Sequence, residues 1–129
     1  MTSTNSTPVS QGVSQITTHV LDTSRGLPAK GLPITLFQQV DDGISSVWHS
    51  LANGVTNDDG RIAGLLDPEL VLPAGLYRMH FDTKTYFDSI DEKGFYPYVD
   101  IVFELDASGD HYHIPLLLTA YGYSTYRGS

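Results

Sequence analysis

The chain contains no cysteine. Disulfides, thiolate zinc sites, iron–sulfur clusters and cysteine nucleophiles are excluded together, and the absence fits a reducing compartment. Positive charge is scarce as well: Lys and Arg number 7 against 15 Asp and Glu, giving a formal net charge of -8. No basic stripe is available to displace counterions from a phosphate backbone, so nucleic acid is not an expected partner. A small anionic ligand would need a few local cations to hold it against this background, which gives each arginine weight. No apolar run approaches the length that spans a bilayer, and no membrane partner is expected. Residues 1–15 lack the basic and apolar stretches of a secretory signal. Seven of them are Ser or Thr, and they are expected to form a disordered arm ahead of one domain at 16–129. Without a secretion signal, the glycosylation match at Asn5-Ser6-Thr7 carries little meaning.

What is present suits a single globular domain. The 129 residues are 40% hydrophobic and 17% charged, enough to bury one core without staples. Short stretches of alternating apolar and polar residues, separated by turn signals, indicate an all-β sandwich or barrel. Strands are expected at 16–24, 34–40, 46–51, 61–65, 76–82, 99–105 and 111–119. Asn57-Asp58-Asp59-Gly60 is a strong turn signal, and 67–75, with two prolines and a glycine, reads as a loop. Residues 83–90 break the period of two and suit one short helix, with Thr83 or Thr85 as its cap.

Two strands carry informative faces. In 111–119, Tyr112, Ile114, Leu116 and Leu118 share one side and should enter the core. His111, His113, Pro115 and Leu117 share the other, a mixed surface suited to an interface or a pocket wall. In the first strand, His19 stands between Thr17 and Leu21, opposite Ile16 and Val20. Taken one at a time, these polar residues have ordinary explanations. A histidine on a strand is more often structural, Arg61 is a surface residue leaving a turn, and terminal residues usually fray.

Three segments together resemble the 5-hydroxyisourate hydrolases of the transthyretin family. They are Thr18-His19-Val20-Leu21-Asp22 with Gly26 and Pro28; Thr56-Asn57-Asp58-Asp59-Gly60-Arg61; and Phe95-Tyr96-Pro97 with His111-Tyr112-His113-Ile114-Pro115-Leu116-Leu117-Leu118 and the closing Tyr126-Arg127-Gly128-Ser129. The resemblance covers nearly all of the chain beyond the arm. It implies a transthyretin-like (prealbumin-like) β-sandwich of about eight strands with one short helix. It also implies a homotetramer with active sites in a channel between dimers. The implied reaction converts 5-hydroxyisourate to 2-oxo-4-hydroxy-4-carboxy-5-ureidoimidazoline in urate degradation, without a cofactor or metal. The alternative within the same fold is a carrier of a small aromatic ligand with no catalysis. The histidine pair and the closing tetrapeptide favour the enzyme.

The resemblance assigns His19, Arg61, His113 and Ser129 to catalysis, and His19, Arg61, Tyr126, Arg127 and Gly128 to substrate binding. The residue types fit the chemistry. Adding water to a ring carbonyl requires a base, an oxyanion donor and a proton for the leaving nitrogen. Histidine titrates near neutrality and suits the proton steps, although acid and base cannot be divided between His19 and His113. Arg61 presents a planar fork of donors that remains charged. Ser129 offers a hydroxyl and a carboxylate, Tyr126 a flat ring, and Gly128 freedom from a side chain. His111 and His113, two apart on one strand face, could join His19 around zinc; this is the competing use of the imidazoles. His49, His80 and His111 are read as structural or surface residues. The expected location is the cytoplasm, or the peroxisome in a eukaryote, although the chain does not close on the Ser-Lys-Leu address.

Overall fold

The computed structural model describes residues 13–128. The elements are β1 (Ile16–Asp22), β2 (Leu27–Pro28), β3 (Pro33–Asp41), β4 (Ser46–Val55), β5 (Gly75–Phe81), α1 (Thr83–Ser89), β6 (Val99–Leu105), β7 (Tyr112–Thr119) and β8 (Gly122–Thr125). They form two four-stranded sheets, ordered β2-β1-β7-β8 and β4-β3-β5-β6. Between β1 and β7 the pairing is parallel, with Thr17 opposite His113 and His19 opposite Pro115.

Alternation places the core between the sheets. Ile16 and Val20 of β1 and Leu116 and Leu118 of β7 face inward, against Ile34, Leu36, Tyr77, Met79 and Phe81 of the opposing sheet. Each fully buried side chain of this size contributes about 1.5–3 kcal/mol. The inward set expected for residues 111–119 is the one found, and Pro115 is buried on the other face of β7 as well.

Three expectations are corrected. Residues 61–65 form no strand: Arg61 makes an isolated bridge to His19, and the chain then turns so that Leu65 and Leu66 plug the core. The helix cap is Asp82, which accepts from the Thr85 amide at 3.2 Å. Thr83 is instead buried and donates its hydroxyl to the Tyr96 carbonyl at 2.7 Å. Ser14 and Gln15, assigned to the arm from sequence, are packed into the fold. Gln15 donates to the Asp110 carbonyl and accepts from the Leu72 amide, and the Ser14 hydroxyl accepts from the Leu66 amide. The rest of the expected arm, residues 1–12, lies outside the described residues.

Candidate active site

The turn at Asn57-Asp58-Asp59-Gly60 delivers Arg61 to His19. The Asn57 side-chain oxygen accepts from the amides of Asp59 and Arg61 at 2.9 and 3.1 Å, and the Asn57 amide donates to the Arg61 carbonyl at 2.8 Å. Gly60 closes the turn at φ +75°, and a Cβ there would collide with the Val20 carbonyl oxygen, so only glycine fits. Its own carbonyl accepts from the Val20 amide at 2.8 Å. On the other side, the buried Thr56 hydroxyl donates to the Ala29 carbonyl and accepts from the Leu32 amide. The turn is thus tied to β1, and Arg61 sits opposite His19 as a residue of the rim.

β7 supplies the second histidine. Parallel register places His113 two positions before the partner of His19 on the neighbouring strand and on the same outer face. Strand spacing and rise put their backbones about 8 Å apart, a separation a small heterocycle can bridge. Thr17, directly opposite His113, lies between two imidazoles: its Oγ1 is 2.9 Å from His113 Nδ1 and 3.1 Å from His111 Nε2. Beyond β8 the chain stays in register with β7. Gly128 pairs with His113, its amide donating to the His113 carbonyl at 2.8 Å.

The electrostatics favour neutral imidazoles. Burial lowers the pKa of His19, and the Arg61 charge lowers it further; an opposing pull comes from Asp59. Burial also lowers that of His113, followed by the charges of Arg61, His19 and His111. One guanidinium is therefore felt by both rings. Among the described residues, Arg61 forms no ion pair. It is exposed, with its donors available to a ligand on the histidines' side. Neutral imidazoles beside a fixed cation can take a proton from water while the cation holds oxyanion charge.

The structure brings His19, Arg61, His113 and Gly128 together, but not Arg127. Strand alternation carries Arg127 to the opposite side of the sheet, where its guanidinium stacks 4.3 Å from the centre of the Tyr112 ring. There it faces a cleft shared with Phe103, Glu104 and Asp106. Tyr126 is exposed, and the continuing register sets it opposite Pro115, on the histidines' face. Ser129 lies outside the described residues. His80 belongs to the other sheet, 2.7 Å from Asp100, and His49 is exposed on β4. Among the described residues, no three of His, Cys, Asp or Glu gather as a metal-binding group. Instead of converging on a zinc position, His111 and His113 turn ring nitrogens to Thr17. Thr17 has no signal in the sequence beyond its place two residues from His19 on one strand face.

Comparison with known proteins shows the family. The sequence pattern described as "HIUase/Transthyretin family" matches residues 16–128. The chain belongs to the HIUase/transthyretin family. Within it, the chain is similar to the 5-hydroxyisourate hydrolase of Mus musculus, 44% identical over 116 residues that cover 90% of this chain and 96% of the relative. Among solved structures, sea bream transthyretin in complex with thyroxine superimposes with a TM-score of 0.81 at 32% identity, covering 89% of this chain and 95% of that one. Klebsiella pneumoniae 5-hydroxyisourate hydrolase gives 0.73 at 38% identity, covering 88% and 98%. The backbone follows the thyroxine-bound transthyretin at least as well as the hydrolase, whereas sequence identity ranks them the other way. Both solved folds match this chain, so the fold alone does not choose between them.

Proposed function

We propose that this chain hydrolyses 5-hydroxyisourate to 2-oxo-4-hydroxy-4-carboxy-5-ureidoimidazoline. The observation that carries the reading is the convergence of His19, His113 and Arg61 on one open sheet face, with the pKa values of both imidazoles lowered by burial and by Arg61. The names of hydrolase relatives with high identity support it. Water attacks a ring carbonyl as one imidazole takes its proton. Arg61 holds the charge that develops on oxygen, and the ring carbon–nitrogen bond opens as a proton reaches the leaving nitrogen. A carrier of an aromatic ligand has no evident use for two imidazoles beside a guanidinium.

Assembly would give this open face a second wall against substrate. Tyr126, on the histidines' face and 58% exposed, offers an apolar surface there suited to assembly. This supports a homotetramer that closes each site between dimers; the location that goes with this reading is the cytoplasm or, in a eukaryote, the peroxisome. Freshly generated urate oxidase product tests the reaction directly. Its near-ultraviolet absorbance should decay faster with the protein present, and an unchanged decay rate would refute the hydrolase.

A further inference from the structure

We propose that Thr17 and His111 form a proton relay that connects His113 to solvent. The inference rests on the hydrolase reading and adds to it two residues outside the His19–Arg61–His113 group. The geometry is specific. A threonine hydroxyl has one proton to donate, and Thr17 Oγ1 lies within hydrogen-bond distance of one nitrogen from each ring, 2.9 Å from His113 Nδ1 and 3.1 Å from His111 Nε2. Satisfying both contacts requires the hydroxyl to donate to one ring and accept from the other. The two imidazoles are therefore locked in opposite states: the nitrogen facing Thr17 is protonated in one and bare in the other. His111 is exposed, while Thr17 and His113 are half-buried, so the chain of bonds runs from solvent into the site.

The proton balance closes over one turnover. Before attack, His113 Nδ1–H donates to Thr17, Thr17 donates to His111 Nε2, and His113 Nε2 is bare. Nε2 takes a proton from the attacking water. The Nδ1 proton passes to Thr17 Oγ1, the Thr17 proton passes to His111 Nε2, and His111 gives its Nδ1 proton to solvent. Both rings end neutral, each now with hydrogen on Nε2. When the ring opens, His113 Nε2–H protonates the leaving nitrogen. The protons then retrace the path, and His111 Nδ1 recovers one from solvent. The gain is electrostatic. An imidazolium held at His113 would be opposed by burial first and then by Arg61, His19 and His111, whereas the relay passes the positive charge through the exposed His111 to solvent.

The test uses the full chain. In dilute buffer, Thr17→Val and His111→Gln should each lower turnover about tenfold or more, within the range of a proton-transfer contribution. Added imidazole buffer should restore much of it. Thr17→Ser, which keeps the hydroxyl, should retain turnover near that of the parent. Nitrogen NMR of the His113 ring gives a readout independent of activity: Thr17→Val should change its tautomer population and Thr17→Ser should preserve it. Unchanged turnover in Thr17→Val or His111→Gln overturns the relay, as does a loss that buffer does not rescue. If the parent protein shows no hydrolysis, the functional reading fails. The NMR comparison then decides the relay alone, and an unchanged tautomer in Thr17→Val refutes it.

Discussion

Gly128 lies flat against the ring of His113. A Cβ at position 128 would stand 2.6 Å from the imidazole Cδ2 and 3.1 Å from its Cβ. The glycine is required by this contact rather than by its own backbone angle, since it is not among the residues at positive φ. Gly128→Ala should therefore displace the ring or detach the tail. We expect turnover to fall at least about tenfold, the scale on which misplacing a proton-transfer group is felt, with the melting temperature nearly unchanged. An alanine variant of full activity would show that the His113 ring need not stay where Gly128 holds it.

His19→Asn and His113→Asn should each reduce turnover by at least about 100-fold, because asparagine keeps hydrogen bonding and cannot cycle a proton. Both side chains lie on the outer face, so the core is untouched and circular dichroism should match the parent. A near-normal rate in either variant removes that histidine from the chemistry.

The pH profile follows from the direction of the shifts. Both histidines have pKa values below the ordinary 6.5, so the acid limb of kcat/KM should fall below pH 6.5. Linkage has the same sign. The unfolded chain binds more protons than the folded one between the lowered values and 6.5, so stability rises with pH across that window and is lost as pH drops through it. Arg61→Gln removes one cause and leaves burial, the larger one, in place. Its acid limb should move up toward 6.5 while the rate falls. A profile that does not move would show that the guanidinium acts on neither ring.

Much of the sandwich was legible locally. Alternation in Gly75–Phe81 and Tyr112–Thr119 revealed which side chains enter the core, because burial on one face imprints a period of two. The parallel pairing of β1 with β7 left no such imprint: it joins segments about a hundred positions apart, and no residue in either strand encodes its partner. β8 escaped because Gly122–Thr125 is mostly exposed and has no apolar face to register. Residues 61–65 suggest a strand only because apolar Ile62, Ala63 and Leu65 follow directly on a turn signal; their spacing has no period of two, and Leu65 and Leu66 are both buried where the chain bends. The resemblance brought out His19, Arg61 and His113 from residue types. Thr17 became visible only once register set it opposite His113, and Arg127 changed sides once alternation was fixed in three dimensions.

Tyr86 ties α1 to β1 through a buried bond. Its hydroxyl donates to Asp22 Oδ2 at 2.7 Å, and Asp22 is 1% exposed. Burial, and then this carboxylate, push the Tyr86 pKa up to about 12. Tyr86→Phe removes the donor and leaves a buried carboxylate oxygen without it, at a cost of about 1–3 kcal/mol. Denaturant unfolding should register that loss, with kcat unchanged because the bond lies away from the histidine face. An unaltered midpoint would mean that the carboxylate finds another donor.

Deleting residues 126–129 tests the tail. β8 ends at Thr125, whose hydroxyl donates to the Pro115 carbonyl at 2.6 Å, so the sheet order survives the cut. The described residues lost make two identifiable contacts with β7: the Gly128 amide on the His113 carbonyl and the Arg127 guanidinium on Tyr112. One exposed cation–π contact and one backbone hydrogen bond together stabilise by only about 1–2 kcal/mol, less than the margin of an ordinary domain. Circular dichroism should therefore show intact β structure. Activity should fall far more, by about 100-fold or beyond, because the cut frees the His113 ring on the side where Gly128 confines it. The Gly128→Ala and truncated proteins should then share one signature, a folded chain with a misplaced imidazole, and size measurements would show whether assembly also loosens. If the truncated chain keeps full turnover, the tail neither fixes His113 nor touches substrate, and the site must be completed without it.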